Sequence, residues 1–315
     1  MVVHYCKDWA IGWNRFWFSR TDTYVICVMR ILTGWMLFYT HLVWSKDLLT
    51  FFSSGGVLPS KYIQAFHGHS AFAWSHFFWI ESGWLGLSEA TLIWLLHGIA
   101  LSVFACFTLG LFTRMTAILS FLFAVSYANR ASGALFGLDQ MNVYLAMYLA
   151  IAPCGAALSL DSWWRRRRGR APAAQVSVWA NVILRLMQVH LCIIYFFAGT
   201  GKLLGDTWWN GEAIWGAFAS YEYQTVDMTW MANFPLVMNA ITLVALIWEV
   251  SYAYLVWPRL TRPLMVGMAF LVHAGIGVTM GMLTFGYIMI VANLAFVSPG
   301  ILRRLTGDVL SEAEG

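Results

Sequence analysis

The chain has 315 residues, 60% of them hydrophobic, 17% aromatic and only 11% charged, with a formal net charge of +4. An ordinary soluble domain carries about 25% charged residues, so this composition excludes one and identifies an integral membrane protein. The apolar runs are helix-length and do not alternate over ten residues, which excludes a β-barrel and leaves an all-α bundle.

Windows of about 20 apolar residues predict about eight transmembrane helices, near 24–45, 88–111, 115–130, 138–154, 176–200, 235–257, 263–281 and 282–299. They leave an N-terminal cytoplasmic segment, 1–23, and a short cytoplasmic tail, 300–315, on either side of the 24–299 bundle. The first span runs too long for a signal peptide and lacks a small-x-small cleavage site, so it is expected to be a retained anchor. With both termini cytoplasmic, Lys7, Arg15, Arg20, Arg114, the arginines of "RRRRGR" at 165–170, Arg259, Arg262, Arg303 and Arg304 fall inside. Only Lys46, Lys61, Arg130 and Lys202 fall outside, the asymmetry expected of a correctly oriented multipass protein. The arginine tract therefore reads as a topology signal and not as a nucleic-acid surface, and the expected location is a bacterial plasma (inner) membrane. The five cysteines, Cys6, Cys27, Cys106, Cys154 and Cys192, have no CxxC spacing and form no thiolate metal site.

Two external segments, 46–87 and 201–234, are rich in aromatics: Trp74, Trp79 and Trp84 in one, Trp208, Trp209, Trp215 and Trp230 in the other. Tryptophan suits the headgroup layer. The seven-residue step from Trp208 to Trp215 and the four-residue step from Ile214 to Phe218 predict an amphipathic helix lying on the outer surface.

A charge at mid-bilayer costs at least about 2.5–3.5 kcal/mol, so the few ionisable residues inside the spans need reasons. Arg30, Arg185 and Glu249 count to similar depths near the cytoplasmic face, and the expected arrangement is a structural clasp in which the arginines neutralise Glu249. His97, His190 and His273 lie near mid-membrane on three different spans and read singly as packing residues. Paired histidines on facing helices would be needed for haem, and none is expected. His67, His69 and His76 lack cysteine or acidic partners at ligand spacing, so no metal site is expected there. Asp139 is a first-turn acid. Lys202 has two readings: a lysine that snorkels to the headgroups, or an amine drawn into a pocket under the tryptophans as a base.

The stretch "FFAGTGKLLGDTWWNGEAI" resembles the signature of the HTTM (horizontally transferred transmembrane) family, whose eukaryotic member is the vitamin K-dependent gamma-glutamyl carboxylase. "FFSSGGVLP", "LGLFTR", "FGLDQMNVYLAMYLAI" and "FLVHAGIGVTMGMLTFGYIMIVANLAFVSP" agree with it in the same order, over nearly the whole chain. The resemblance implies that Lys202 is a base on the external face, with His273 as the matching histidine. It implies a quinol cofactor, menaquinol or vitamin K hydroquinone, bound among Trp208, Trp209, Trp215, Asp139 and His190. Two departures are visible. The segment "NRASGALFGL" lacks the histidine that precedes the carboxylase turn, and the residues after Pro299 are too few for the lumenal domain that holds the glutamate substrate. The expected function is therefore a quinol-binding membrane protein with carboxylase-like, lyase-type chemistry. The alternative is a non-enzymatic partner for the maturation, export or immunity of a secreted peptide. The expected partners are the lipid bilayer and a peptide substrate or external subunit. A transporter is least supported, since no inverted repeat is detectable.

Overall fold

The computed structural model describes residues 2–68, 70, 73–81, 86–170, 175–222 and 225–306. His69, Trp84 and most of the expected C-terminal tail lie outside the described residues. Among those described, the chain is overwhelmingly helical. Strand is confined to the antiparallel pair Thr21–Asp22 and Val176–Ser177.

Five helical stretches are long and apolar enough to cross a membrane: Tyr24–Phe52, Glu89–Leu109, Val178–Lys202, Pro235–Leu255 and Arg262–Thr279. The helices Thr113–Arg130, Gly137–Ile151 and Leu283–Asn293 occupy the three remaining expected places, but are more polar or shorter. Helix ends follow local chemistry. Ser88 accepts a hydrogen bond from the Thr91 amide at the start of Glu89–Leu109, and prolines stand in the first turns of Pro235–Leu255 and Arg262–Thr279. The chain divides into two compact units, 1–183 and 184–315, with the division falling inside the Val178–Lys202 helix.

In the first unit, Tyr127 is fully buried at the centre of an aromatic cluster, with the rings of His41, Phe52 and Phe77 at 4.6, 5.1 and 5.0 Å. His97 uses both ring nitrogens, on Ser45 Oγ at 2.9 Å and the Tyr127 hydroxyl at 2.6 Å. The segment 1–23, expected only as a cytoplasmic stretch, holds the helix Val2–Phe18, whose exposed Trp9 and Trp13 stack at 5.4 Å. The four-residue steps between Trp9, Trp13 and Trp17 were its signal.

The expected clasp around Glu249 does not form. Arg30 is fully buried and donates to the carbonyls of Cys154 at 2.6 Å and Leu158 at 2.5 Å. Both carbonyls lie in the turn that follows Gly137–Ile151, outside any helix, where a backbone oxygen needs a donor from elsewhere. They take the guanidinium in place of a carboxylate. Arg185 donates to Gln188 Oε1 at 2.8 Å.

Loop histidines in this unit hold the loop down. His67 Nε2 lies 2.9 Å from the Asn129 carbonyl, and His76 exchanges two bonds with Ser126, its amide donating at 2.9 Å and its Nδ1 lying 2.6 Å from the same hydroxyl. Burial pushes the His76 imidazole down to about 4. The unfolded chain, with the histidine near its usual 6.5, binds more protons between those values. The tie is therefore fully present above about pH 6.5 and is lost as pH falls toward about 4. Protection factors of the amides in residues 73–80, taken against the intrinsic exchange rate at each pH, should fall over that window, and protection unchanged at about pH 4 would refute the assignment.

In the second unit, Arg262–Thr279 and Leu283–Asn293 pack closely enough that a Cβ on Gly286 would meet the His273 carbonyl at 2.3 Å. Backbone cannot give way as a side chain does. Gly286→Ala is expected to cost about 1–3 kcal/mol through overpacking, read as a lowered thermal midpoint of the purified protein.

Candidate functional site

The Val178–Lys202 helix ends "AGTGK". At Gly199 a Cβ would meet the backbone nitrogen of Val250 at 2.9 Å, so glycine sets the close approach of this helix to Pro235–Leu255. One turn further, the Lys202 ammonium meets Glu249 Oε2 at 2.5 Å, with the side chains 30% and 13% exposed. The Trp208 ring covers the same nitrogen, its centroid 5.3 Å away.

The pairing overturns the depth count made from sequence. Glu249 lies fourteen residues into Pro235–Leu255, about 21 Å from its start at 1.5 Å per residue. Lys202 therefore stops far short of the beginning of the neighbouring helix. The segment after it runs alongside that helix, with Gly211 close against Asn239. The single surface helix expected around 208–218 is also not formed. The stretch is split into Asp206–Trp209 and Ala213–Phe218 at Gly211, whose φ of +76° suits glycine and breaks the helix. Both pieces contact Pro235–Leu255.

A second polar layer sits two turns before Lys202. The Tyr252 hydroxyl donates to Asn293 Oδ1 at 2.5 Å, Asn293 Nδ2 donates to the Tyr195 hydroxyl at 2.9 Å, and Tyr195 lies 2.7 Å from His273 Nε2. Because Tyr195 accepts from Asn293, its own proton points to Nε2. That leaves the proton of a neutral imidazole on Nδ1. Among the described residues His273 Nδ1 is buried and has no partner, so the chain of hydrogen bonds ends there on an unused donor. Trp248 joins the layers: it precedes Glu249 and its ring lies 5.3 Å from Tyr195 and 6.4 Å from His273.

Of the residues singled out from sequence, Lys202, Trp208 and His273 thus belong to one region of the second unit. Trp209 is exposed, its indole donating to the Leu203 carbonyl at 2.8 Å. Trp215 is half-buried on the Ala213–Phe218 helix. His190 is on the same helix as Lys202 but twelve residues away, about 18 Å, and is not brought to the pair. Asp139 is in the first unit, where Oδ2 accepts the Phe136 amide at 2.9 Å and the side chain lines a small cavity with His41 and Asn142. Glu249 was seen from sequence as a charge needing a partner, but the partner was misassigned. Tyr195, Tyr252 and Asn293 were missed, although the seven-residue step from Tyr195 to Lys202 places both on one helix face.

Comparison with curated proteins and with solved structures gave no match. The HTTM domain matches residues 18–300, which include both helices of the Lys202–Glu249 pair and the whole Tyr195–His273 layer. The chain belongs to the HTTM domain family of membrane proteins.

Proposed function

We propose that the protein binds a quinol at the Lys202–Glu249 pair and removes a proton from its hydroxyl, with all eight apolar helices crossing the membrane and Lys202 opening to the external side. The observation that carries the reading is an ion pair between two apolar, span-length helices, capped by an indole, beside a buried histidine donor with no acceptor among the described residues. A structural clasp would need no unused donor. An aromatic diol supplies a flat apolar ring for Trp208, an oxygen for His273 Nδ1 and an acidic hydroxyl for the pair.

In this reading Glu249 receives the proton when the O–H bond breaks, and Lys202 stays opposite the negative charge left on oxygen. Tyr195 fixes the tautomer that makes His273 a donor. When bound, a quinol would supply a reductant whose deprotonated form reacts with oxygen, as the likeness to the carboxylase implies. Trp209 and Trp215 would line the entrance from the bilayer.

Anaerobic titration of the protein in nanodiscs with menaquinol or vitamin K hydroquinone should quench tryptophan fluorescence saturably. Trp208→Leu should remove most of the quenching. Absence of saturable quenching in the unmodified protein would overturn the reading in favour of a peptide-partner role, tested by co-purification of external peptides.

A further inference from the structure

The first unit carries a basic cleft that the quinol reading does not use. Its volume is about 440 Å³, and Phe112, Trp164, Arg165, Arg168 and Arg170 line it together with Asp161. A topology signal needs only a count of positive charges. Here the charges are placed. Arg168 stacks over Trp164 at 4.7 Å, and Arg167 over Trp163 at 4.3 Å. Arg165 donates to the Gly155 carbonyl at 3.1 Å, while its Nε is buried with no partner. Asp161 does not cancel this charge for a ligand, because its carboxylate accepts the Phe112 amide at 3.0 Å, the Thr113 amide at 2.7 Å and the Thr113 hydroxyl at 2.6 Å. It caps the start of Thr113–Arg130.

One helical turn from Phe112, at Thr116, a second depression begins. It is an apolar groove of about 360 Å³ along the flank of Glu89–Leu109, lined by Leu95, Gly98, Ser102, Cys106 and Thr116 among others. From Cys106 to Leu95 is eleven residues, about 16 Å, close to the length of one leaflet of a hydrocarbon core about 30 Å thick. Nothing lies within 4 Å of the position a Gly98 Cβ would take, so the small residue leaves the groove open. A cationic cleft at the start of Thr113–Arg130 and, one helical turn along it, a leaflet-long apolar groove have between them the two-part chemistry of a single amphiphile.

We infer that this face is a binding site for one anionic phospholipid, its phosphate held by Arg165, Arg168 and Arg170 and one acyl chain lying in the groove toward Leu95. Guanidinium groups suit phosphate as planar forks. The neighbouring apolar groove selects a lipid over a soluble anion.

The test compares two double substitutions that remove equal charge from neighbouring exposed positions: Arg168→Gln with Arg170→Gln in the cleft, and Arg166→Gln with Arg167→Gln outside it. Purified delipidated protein is titrated with phosphatidylglycerol and, separately, phosphatidylcholine, and bound lipid is counted by native mass spectrometry. Phosphatidylglycerol should bind at least about tenfold more tightly than phosphatidylcholine. The cleft pair should weaken it by about tenfold or more, and the outside pair by about threefold or less. Gly98→Phe, which fills the groove, should also weaken it while leaving the charge untouched. Equal losses in the two double variants would overturn the site, leaving a diffuse basic surface. Competition by millimolar inorganic phosphate as effective as that by lipid, or normal binding in Gly98→Phe, would overturn the assignment to a lipid.

Discussion

Lys202→Ala is expected to abolish quinol binding, and Lys202→Arg to restore the ion pair and the stability while restoring binding only in part. Arginine keeps the charge but presents a broader fork to a site where a single nitrogen lies between a carboxylate and an indole. Stability separates the pair from two independent residues. Lys202→Ala leaves the Glu249 carboxylate largely buried without its cation, and Glu249→Gln leaves the ammonium without its anion. Each is expected to cost about 2 kcal/mol, reduced from the cost of breaking a fully buried pair because Lys202 is 30% exposed. Replacing both with methionine should be less harmful than either single change, since an apolar pair of similar volume has no charge to desolvate. Thermal unfolding of the unmodified protein, Lys202→Ala, Glu249→Gln and the variant that combines those two substitutions gives the coupling, expected at about 1–3 kcal/mol. Losses that simply add would mean that the two side chains do not meet.

The second large effect is at Arg30. Arg30→Met should cost roughly 3–5 kcal/mol, because it strips the donors from the buried Cys154 carbonyl and from the part-buried Leu158 carbonyl. Arg30→Lys retains the charge but cannot span the carbonyls as a fork does, so it should recover only part of the loss. Detergent-solubilised protein followed by thermal melt and size-exclusion profile would register both. A wild-type melting point in Arg30→Met would mean that the turn from Ala152 to Ser159 holds itself.

Helix positions were legible because their causes are local. Apolar runs of helix length, interrupted by "LGLFTR" or by Pro235, leave few choices for where a helix begins and ends, and the expected limits agree with the observed ones to within a few residues over most of the chain. Lys202 and His273 were legible for the same reason: each is a polar residue in an apolar setting. What was not legible is which residue meets which. Counting depth from helix ends assumes that every helix stops at the membrane surface. The Val178–Lys202 helix stops opposite the last third of its neighbour, and that one departure moved Glu249 from Arg30 and Arg185 to Lys202. Arg30 escaped for another reason, since backbone carbonyls leave no mark in a sequence as acceptors. The Val2–Phe18 helix escaped because a search for apolar windows of span length passes over a 17-residue amphipathic segment that also carries Lys7, Asp8 and Arg15.

The two partners of the ion pair are separated by 47 residues of chain. Synthesis at about 5–20 residues per second delivers Glu249 roughly 2–9 s after Lys202. Over that interval the nascent Val178–Lys202 helix holds a cation with no anion to meet it, so the pair can close only after the second helix has been made.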